Sequence, residues 1–237
     1  MLLPLFLPTE TTPPLWLGTS LAGVYLLALL LIAEAVGRWP QVTDREITRK
    51  LVHIGSGNVL LLAWWFAIPA WIAIAAAIVA GSLALVSFFV PLLPSIESVG
   101  RKSLGTFFYA ASIGILVGWF WPLGQPHAAV IGILVMTWGD GLAALVGQNF
   151  GRHRYQVFGS TKSWEGSLAM AMASFMVCAA ILLALHGNSW EAWVISAVVA
   201  IAATGLESLS ILGIDNLTVP IASAALCFLL ERGAALL

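Results

Sequence analysis

The chain has 237 residues, of which 60% are hydrophobic and only 9% are charged, and its formal net charge is −1 at pH 7. Soluble globular domains contain about 25% charged residues, so this composition excludes an ordinary soluble domain. The near-neutral charge and the scarcity of basic residues indicate no nucleic-acid partner. Cys178 and Cys227 lie inside apolar runs without metal-ligand spacing, which predicts that they act as hydrophobic side chains.

Apolar runs of membrane-spanning length recur along the whole chain. They predict an all-α polytopic integral membrane protein, a single membrane domain over residues 1–237 with about eight transmembrane helices in one bundle. Prolines and glycines separate the runs. The predicted spans are 16–36, 51–67, 70–90, 104–121, 128–148, 165–186, 191–210 and 217–231.

Basic residues follow every second span, which predicts the orientation of the chain. The first, third and fifth spans are followed by Arg38, Arg45, Arg49 and Lys50, by Arg101 and Lys102, and by Arg152, Arg154 and Lys162. The positive-inside rule places these segments on the cytoplasmic side. Residues 1–14 are then a short extracytoplasmic segment, and residues 149–163 are a cytoplasmic loop.

Several polar residues fall near the cytoplasmic ends of the predicted spans. Ionisable groups in a membrane are costly, so they are functional candidates by default. Their shared side of the membrane predicts a single pocket at the cytoplasmic face. These residues are Glu34, His53, Asp140, Glu207, Asp215 and Asn216.

Asp140 is the acidic residue of the fifth span, beside a stripe of small residues four apart that favours close helix packing: Gly139, Ala143, Gly147 and Gly151. We interpret Asp140 as a Mg²⁺ ligand, because this cation prefers carboxylate oxygens and bridges to substrate phosphates. Two other roles remain open for its carboxylate, a buried structural hydrogen-bond partner and a catalytic base.

The segment 149–163 is predicted to bind phosphate. Arg152 and Lys162 supply positive charge just before a helix N-terminus, which is itself an anion site. Hydroxyl groups come from Ser160, Thr161 and Ser163. The spacing of Gly159 and Lys162 differs from that of a Walker A loop. Arg154, and alternatively Arg152, could serve only the topology or touch anionic lipid headgroups.

The remaining candidates come from four places in the chain. Glu165 is a candidate for nucleotide binding or for capping the sixth span. Glu207 and Asp215 are candidate metal ligands, although Asp215 could instead cap a helix. Asn216 and Lys50 are assigned to the nucleotide site, and His53 is either a catalytic base or a structural histidine.

Three separated motifs resemble one known family. They are Arg49-Lys-Leu-Val-His53-Ile, the pattern Asp140-Gly-Leu-Ala-Ala…Gly147…Phe150-Gly…Gly159-Ser-Thr-Lys162-Ser-Trp-Glu165-Gly, and Asp215-Asn-Leu-Thr-Val-Pro220. Together they cover about 50–231 and resemble the CTP-dependent polyprenol kinases, among which the short chain is most like the phytol kinases. The central motif is also similar to phosphatidate cytidylyltransferases, but their His-Gly-Gly and paired aspartates do not occur here.

The resemblance implies transfer of the γ-phosphoryl group of CTP to the hydroxyl of a long-chain isoprenoid alcohol, with Mg²⁺ as cofactor. The implied catalytic residues are Asp140, Lys162 and His53, with Asp140, Glu207 and Asp215 around the metal. The implied partners are CTP, the alcohol and membrane lipids, in a prokaryotic or thylakoid-type membrane. The alternatives are a cytidylyltransferase that makes a CDP-lipid and a non-enzymatic transporter or scaffold.

Overall fold

The structure, a computed structural model, describes residues 14–39, 45–89 and 104–234. It is all-α apart from one short hairpin, because a helix satisfies all its backbone polar groups internally where lipid offers no partners. The helices are α1 Leu15–Gly37, α2 Arg45–Gly57, α3 Val59–Trp65, α4 Ala70–Phe89, α5 Gly105–Phe120, α6 Pro126–Phe150, α7 Trp164–His186, α8 Trp190–Ser208 and α9 Asp215–Ala234.

The predicted polytopic membrane architecture is confirmed, but the count of eight spans is not. Within the described ranges, six helices are long and apolar enough to cross a membrane: α1, α4, α6, α7, α8 and α9. The predicted fourth span is the shorter apolar helix α5. The predicted segment 1–14, except Pro14, and the basic pair Arg101 and Lys102 lie outside the described residues.

The predicted second span corresponds to two consecutive helices, α2 and α3, separated only by Asn58. The Asn58 amide bonds to the Gly55 carbonyl and the Leu61 amide to the Asn58 carbonyl, a local three-residue hydrogen-bonding pattern. Tyr25 of α1 donates a second bond, 2.8 Å, to the Gly55 carbonyl and stabilises this irregular turn. Lys50, predicted to lie in a loop, lies inside α2 because the helix begins at Arg45.

The segment 149–163, predicted as a loop, forms the end of α6 and then an antiparallel hairpin. Strand β1 is Arg154–Val157 and strand β2 is Ser160–Ser163, with Tyr155 opposite Lys162. Phe158 and Gly159 form the turn with φ of 46° and 80°. Two consecutive positive φ values are typical of the tight hairpin turn that matches strand twist. The hairpin projects from the bundle between α6 and α7.

Helix α6 is the centre of the bundle and packs against α7, α9 and α2. Its amino-terminal half is fully buried, which explains why that half is continuously apolar. The small-residue stripe, predicted to allow close helix packing, faces α7. A Cβ atom added to Gly147 would lie 3.7 Å from the Gly166 Cα atom and 3.1 Å from the Ser163 Oγ atom. Close packing therefore fixes the start of α7 against α6.

This contact predicts a stability change for Gly166→Ala. The added Cβ atom would lie 2.8 Å from the Ala143 carbonyl oxygen, so the backbones must separate. We expect a loss of about 1–3 kcal/mol in the free energy of unfolding, measured by thermal unfolding in detergent. Gly23→Ala is the matched control, because nothing lies within 4 Å of the added atom. Equal shifts in the two variants would contradict the packing argument.

At the end of α6 far from the hairpin, one carboxylate joins three helices. Glu231 of α9 accepts hydrogen bonds from His127 of α6 at 3.0 Å and from His186 of α7 at 2.8 Å. Cys178 and Cys227 are buried nearby as free thiols, as expected for hydrophobic side chains. This junction ties α6, α7 and α9 together at one end of the bundle.

Candidate active site

Asp140 lies on the face of α6 that meets α2. Lys50 of α2 donates a hydrogen bond to its Oδ2 atom, and the two side chains are only 7% and 17% exposed. The Nε2 atom of His53, one helical turn after Lys50, is 3.7 Å from the same oxygen. The His53 ring also packs against Tyr109 of α5, with 4.8 Å between ring centroids. Three predicted site residues thus lie together.

A second ion pair joins the hairpin to the end of α8. Lys162 of β2 donates to the carboxylate of Glu207 at 2.5 Å and also to its backbone carbonyl. The two side chains are 17% and 9% exposed. Because a buried carboxylate needs a partner, this pair fixes β2 against α8. It joins residues 45 positions apart in the chain.

The two ion pairs and Asp215 form one charged cluster. Asp215, in the first turn of α9, interacts electrostatically with Asp140 and both lysines, and Glu207 interacts with both aspartates. The cluster therefore contains three carboxylates and two lysines. Among the residues that the structure describes, no group of three or more His, Cys, Asp or Glu side chains is arranged to hold a metal ion. Lys50 donates a hydrogen bond to a carboxylate oxygen of Asp140, and Lys162 donates one to a carboxylate oxygen of Glu207.

A cleft of ≈ 350 Å³ opens beside this cluster. The buried Glu207 lines it together with Asp140, and the hairpin and the start of α7 form one wall. The predicted residues Thr161, Lys162 and Ser163 line it. The full lining is Asp140, Ala143, Ala144, Gly147, Gln148, Arg154, Thr161, Lys162, Ser163, Gly166, Ser167 and Glu207.

The structure places the two arginines differently from the prediction. Arg154, interpreted as topological, lines the cleft, whereas Arg152, assigned to phosphate, does not. Arg154 begins β1 opposite Ser163, so strand pairing carries it to the cleft wall. Arg152 precedes the strand and is exposed. The assignment of Arg152 to the phosphate site is therefore not supported by its position.

Ser163 and Glu165 organise the start of α7. Ser163, predicted as a phosphate-site residue, is the N-cap of α7 and accepts a hydrogen bond of 3.1 Å from the Gly166 amide. The Glu165 carboxylate instead bonds to His153, at 2.7 Å from Nδ1 and 3.2 Å from the backbone nitrogen. Glu165 therefore connects α7 to the base of the hairpin, outside the cleft lining.

Three other predicted polar residues also lie outside the cleft lining. Ser160 is at the turn end of β2. The Asn216 amide donates to the Gly213 carbonyl at 3.2 Å, within its own turn. Glu34 pairs with Arg38 one helical turn away at 3.0 Å. Of the six polar residues predicted to share one pocket, Asp140 and Glu207 line the cleft, whereas Glu34, His53, Asp215 and Asn216 do not.

Sequence reasoning missed three polar residues of the cleft, Arg154, Gln148 and Ser167. Gln148 and Ser167 could have been found by helical spacing. Gln148 is eight residues after Asp140, and Ser167 is four after Ser163, so each lies on the same helix face as a predicted residue. Arg154 depends on the hairpin register, for which the sequence carries only the weak signal of Gly159.

The fold and the site together define a polytopic membrane protein with a mixed acidic and basic cleft at one end of the bundle. The chain is 55% identical to a phytol kinase of Synechocystis sp., over 91% of this chain and 92% of that protein. It is 31% identical to phytol kinase 1, chloroplastic, of Arabidopsis thaliana, over 88% and 73% of the two chains. The chain belongs to the phytol kinase family.

A more distant relative has the same description. A probable chloroplastic phytol kinase of Triticum aestivum is 29% identical over 88% of this chain and 74% of that protein. No family model matches the chain, and no solved structure gives a significant match. The assignment to the family therefore depends on these full-length sequence similarities and on the motifs that the cleft contains.

Proposed function

We propose that this protein transfers the γ-phosphoryl group of CTP to the hydroxyl of a long-chain isoprenoid alcohol such as phytol. The observation that carries the proposal is the cluster of three carboxylates and two lysines beside a cleft at one end of a membrane bundle. Phosphoryl transfer needs charge neutralisation and positioning more than covalent chemistry, and this cluster supplies both. The relatives named as phytol kinases support the choice of alcohol.

The phosphate groups would lie between the hairpin and the start of α7. Lys162 and Arg154 supply positive charge from the hairpin wall. Thr161 offers a hydroxyl group on the same wall. In the described part of the chain Arg154 makes no ion pair, so its five donors remain available for phosphate oxygens.

The acidic residues have the chemistry that Mg²⁺ requires. One or two of Asp140, Glu207 and Asp215 would hold it, because carboxylate oxygens are its preferred protein ligands and phosphates would complete the shell. The ion, when bound, would neutralise charge on the phosphate oxygens. Lys50 and Lys162 compensate the carboxylates in this buried place, where an unpaired charge is costly.

The alcohol would approach from the side of α2. Its hydroxyl oxygen would attack the γ-phosphorus atom, an O–P bond would form, and the bond to the bridging oxygen would break as CDP leaves. His53, whose Nε2 atom is 3.7 Å from Asp140 and whose ring packs against Tyr109, would accept the hydroxyl proton. The tail would lie in the apolar region between the spans. We further propose that the site faces the cytoplasm, where CTP is available.

Labelled CTP tests the reaction directly. Purified protein in lipid vesicles is offered phytol, geranylgeraniol or phosphatidate with CTP labelled at the α or the γ phosphate. The proposal predicts label in the alcohol only from the γ position, and only with divalent cation present. Label transferred to phosphatidate only from the α position would identify a cytidylyltransferase and contradict the proposal. Failure to label any lipid would favour a transporter or scaffold.

The position of Arg154 predicts a difference between two neighbouring arginines. Arg154→Ala is expected to raise the KM for CTP about tenfold, because a hydrogen bond to a charged group contributes about 1.5–3 kcal/mol. Arg152→Ala is the matched control, since it removes the same charge outside the cleft. Its KM should change less than twofold. Equal effects of the two substitutions would show that the arginines act only through surface charge.

A further inference from the structure

One face of the carboxy-terminal part of α6, from Asp140 to Gln148, lines the cleft. The lining positions of this helix are 140, 143, 144, 147 and 148, the spacing of a single helix face. From Asp140 to Gln148 the helix rises about 12 Å at about 1.5 Å per residue. This length is comparable with the separation of the terminal phosphate and the base in an extended nucleoside triphosphate.

The chemical character of the cleft changes along that face. The end at Asp140 contains the buried Glu207 and Lys162 and adjoins the other charges of the cluster. The middle is formed by the small residues Ala143, Ala144 and Gly147. At the mouth lie Gln148 and Arg154, which are both exposed. Both carboxylates and Lys162 therefore lie at the Asp140 end, whereas the Gln148 end carries a neutral amide and the exposed Arg154.

Gln148 is the neutral polar side chain of α6 that reaches the cleft. Its amide carries two donors and a carbonyl acceptor side by side, which can pair with the adjacent donor and acceptor of a nucleobase edge. No hydrogen bond within the described ranges engages this amide, whereas its neighbour Asn149 donates to the Leu145 carbonyl at 2.7 Å. Gln148 is thus available to a ligand.

We propose that the nucleotide lies along this face of α6, with its terminal phosphate at Asp140 and the polar edge of its base on the Gln148 amide. The inference rests on the proposed function and adds to it a direction for the nucleotide and a base-binding residue. The opposite direction would leave a neutral base among the buried charges of Asp140, Glu207 and Lys162. It would also place the γ-phosphate about 12 Å further from His53, away from the expected alcohol hydroxyl.

Binding measurements with two ligands separate the two ends of the cleft. The Kd of CTP and of inorganic triphosphate, which has no base, is measured by thermal shift for the wild type and the variants. Gln148→Ala is expected to raise the Kd of CTP about tenfold, the loss of one two-bond contact to a base. It should leave the Kd of triphosphate within twofold. Arg154→Ala should weaken both ligands.

Gln156→Ala on β1 is the matched control, because Gln156 is an exposed glutamine outside the cleft lining. It should leave both Kd values unchanged. An unchanged Kd of CTP in Gln148→Ala, or an equal rise for CTP and triphosphate, would overturn the inference. The binding data are independent of turnover. If the wild type binds CTP through Gln148 but labels no lipid, the proposed kinase function fails while the nucleotide direction stands.

Discussion

Asp140→Asn is expected to abolish phosphoryl transfer, with kcat reduced at least about 100-fold, the scale reported for the loss of one well-placed electrostatic group. Asp140 is the point at which α2, α6 and the cleft meet, and its Oδ2 atom contacts both Lys50 and His53. An amide in its place would neither hold a divalent cation nor orient His53 by charge. The measurement is the rate of label transfer from γ-labelled CTP to phytol.

Loss of folding could imitate this result, so a second variant separates the two. Asp140→Asn leaves the buried Lys50 without its carboxylate, and breaking such a pair costs about 3–5 kcal/mol. The double variant Lys50→Met/Asp140→Asn removes the unpaired charge and should recover most of the thermal stability. It should remain inactive. If the double variant recovered activity together with stability, Asp140 would be a structural residue.

Lys162→Ala is expected to lower kcat/KM by about 100-fold or more, because it removes a charged contact to the phosphates. Lys162 lines the cleft and is the cation that holds Glu207. Lys162→Arg keeps the charge, but its planar fork does not match the two acceptors of Glu207, so we expect only a small recovery. Gln156→Ala controls for changes to the hairpin itself. Near-normal turnover in Lys162→Ala would show that the phosphates bind elsewhere.

The sequence predicts most helices and their chemistry from local patterns alone. Long apolar runs predict the spans because lipid imposes a fixed length and internal hydrogen bonding. Asp140 and Glu207 stand out because charges inside such runs are rare. The stripe from Gly139 to Gly151 predicts a close helix contact, which the structure forms between α6 and α7.

The contacts that complete the site could not be predicted in the same way. The pairs Lys50–Asp140 and Lys162–Glu207 join residues 90 and 45 positions apart, and no local periodicity specifies which lysine meets which carboxylate. The choice between Arg152 and Arg154 depends on the register of a hairpin. Its turn has Phe158 at positive φ, a conformation that phenylalanine rarely adopts, so the turn signal was weak.

The junction at Glu231 also determines how far each part of α6 would move if this helix rotated about it. His127 marks the fixed end of α6, about 20 Å from Asp140 and about 31 Å from Gln148 along the helix. A rotation of α6 by about 5° around this junction would displace Gln148 by about 3 Å and Asp140 by less than about 2 Å. The charged end of the cleft thus changes least when its mouth widens.

In such a rotation the Glu231 junction is the pivot, at the end of the bundle opposite the cleft. Spin labels at Asn149, next to Gln148, and at Gln156 on β1 should therefore change their separation when CTP binds. Labels at Gln125 and Asn188, beside the pivot, should keep theirs. Equal changes at both ends would show that the bundle moves as a whole. A nucleotide could then enter and leave while the groups at its terminal phosphate move less than those at its base.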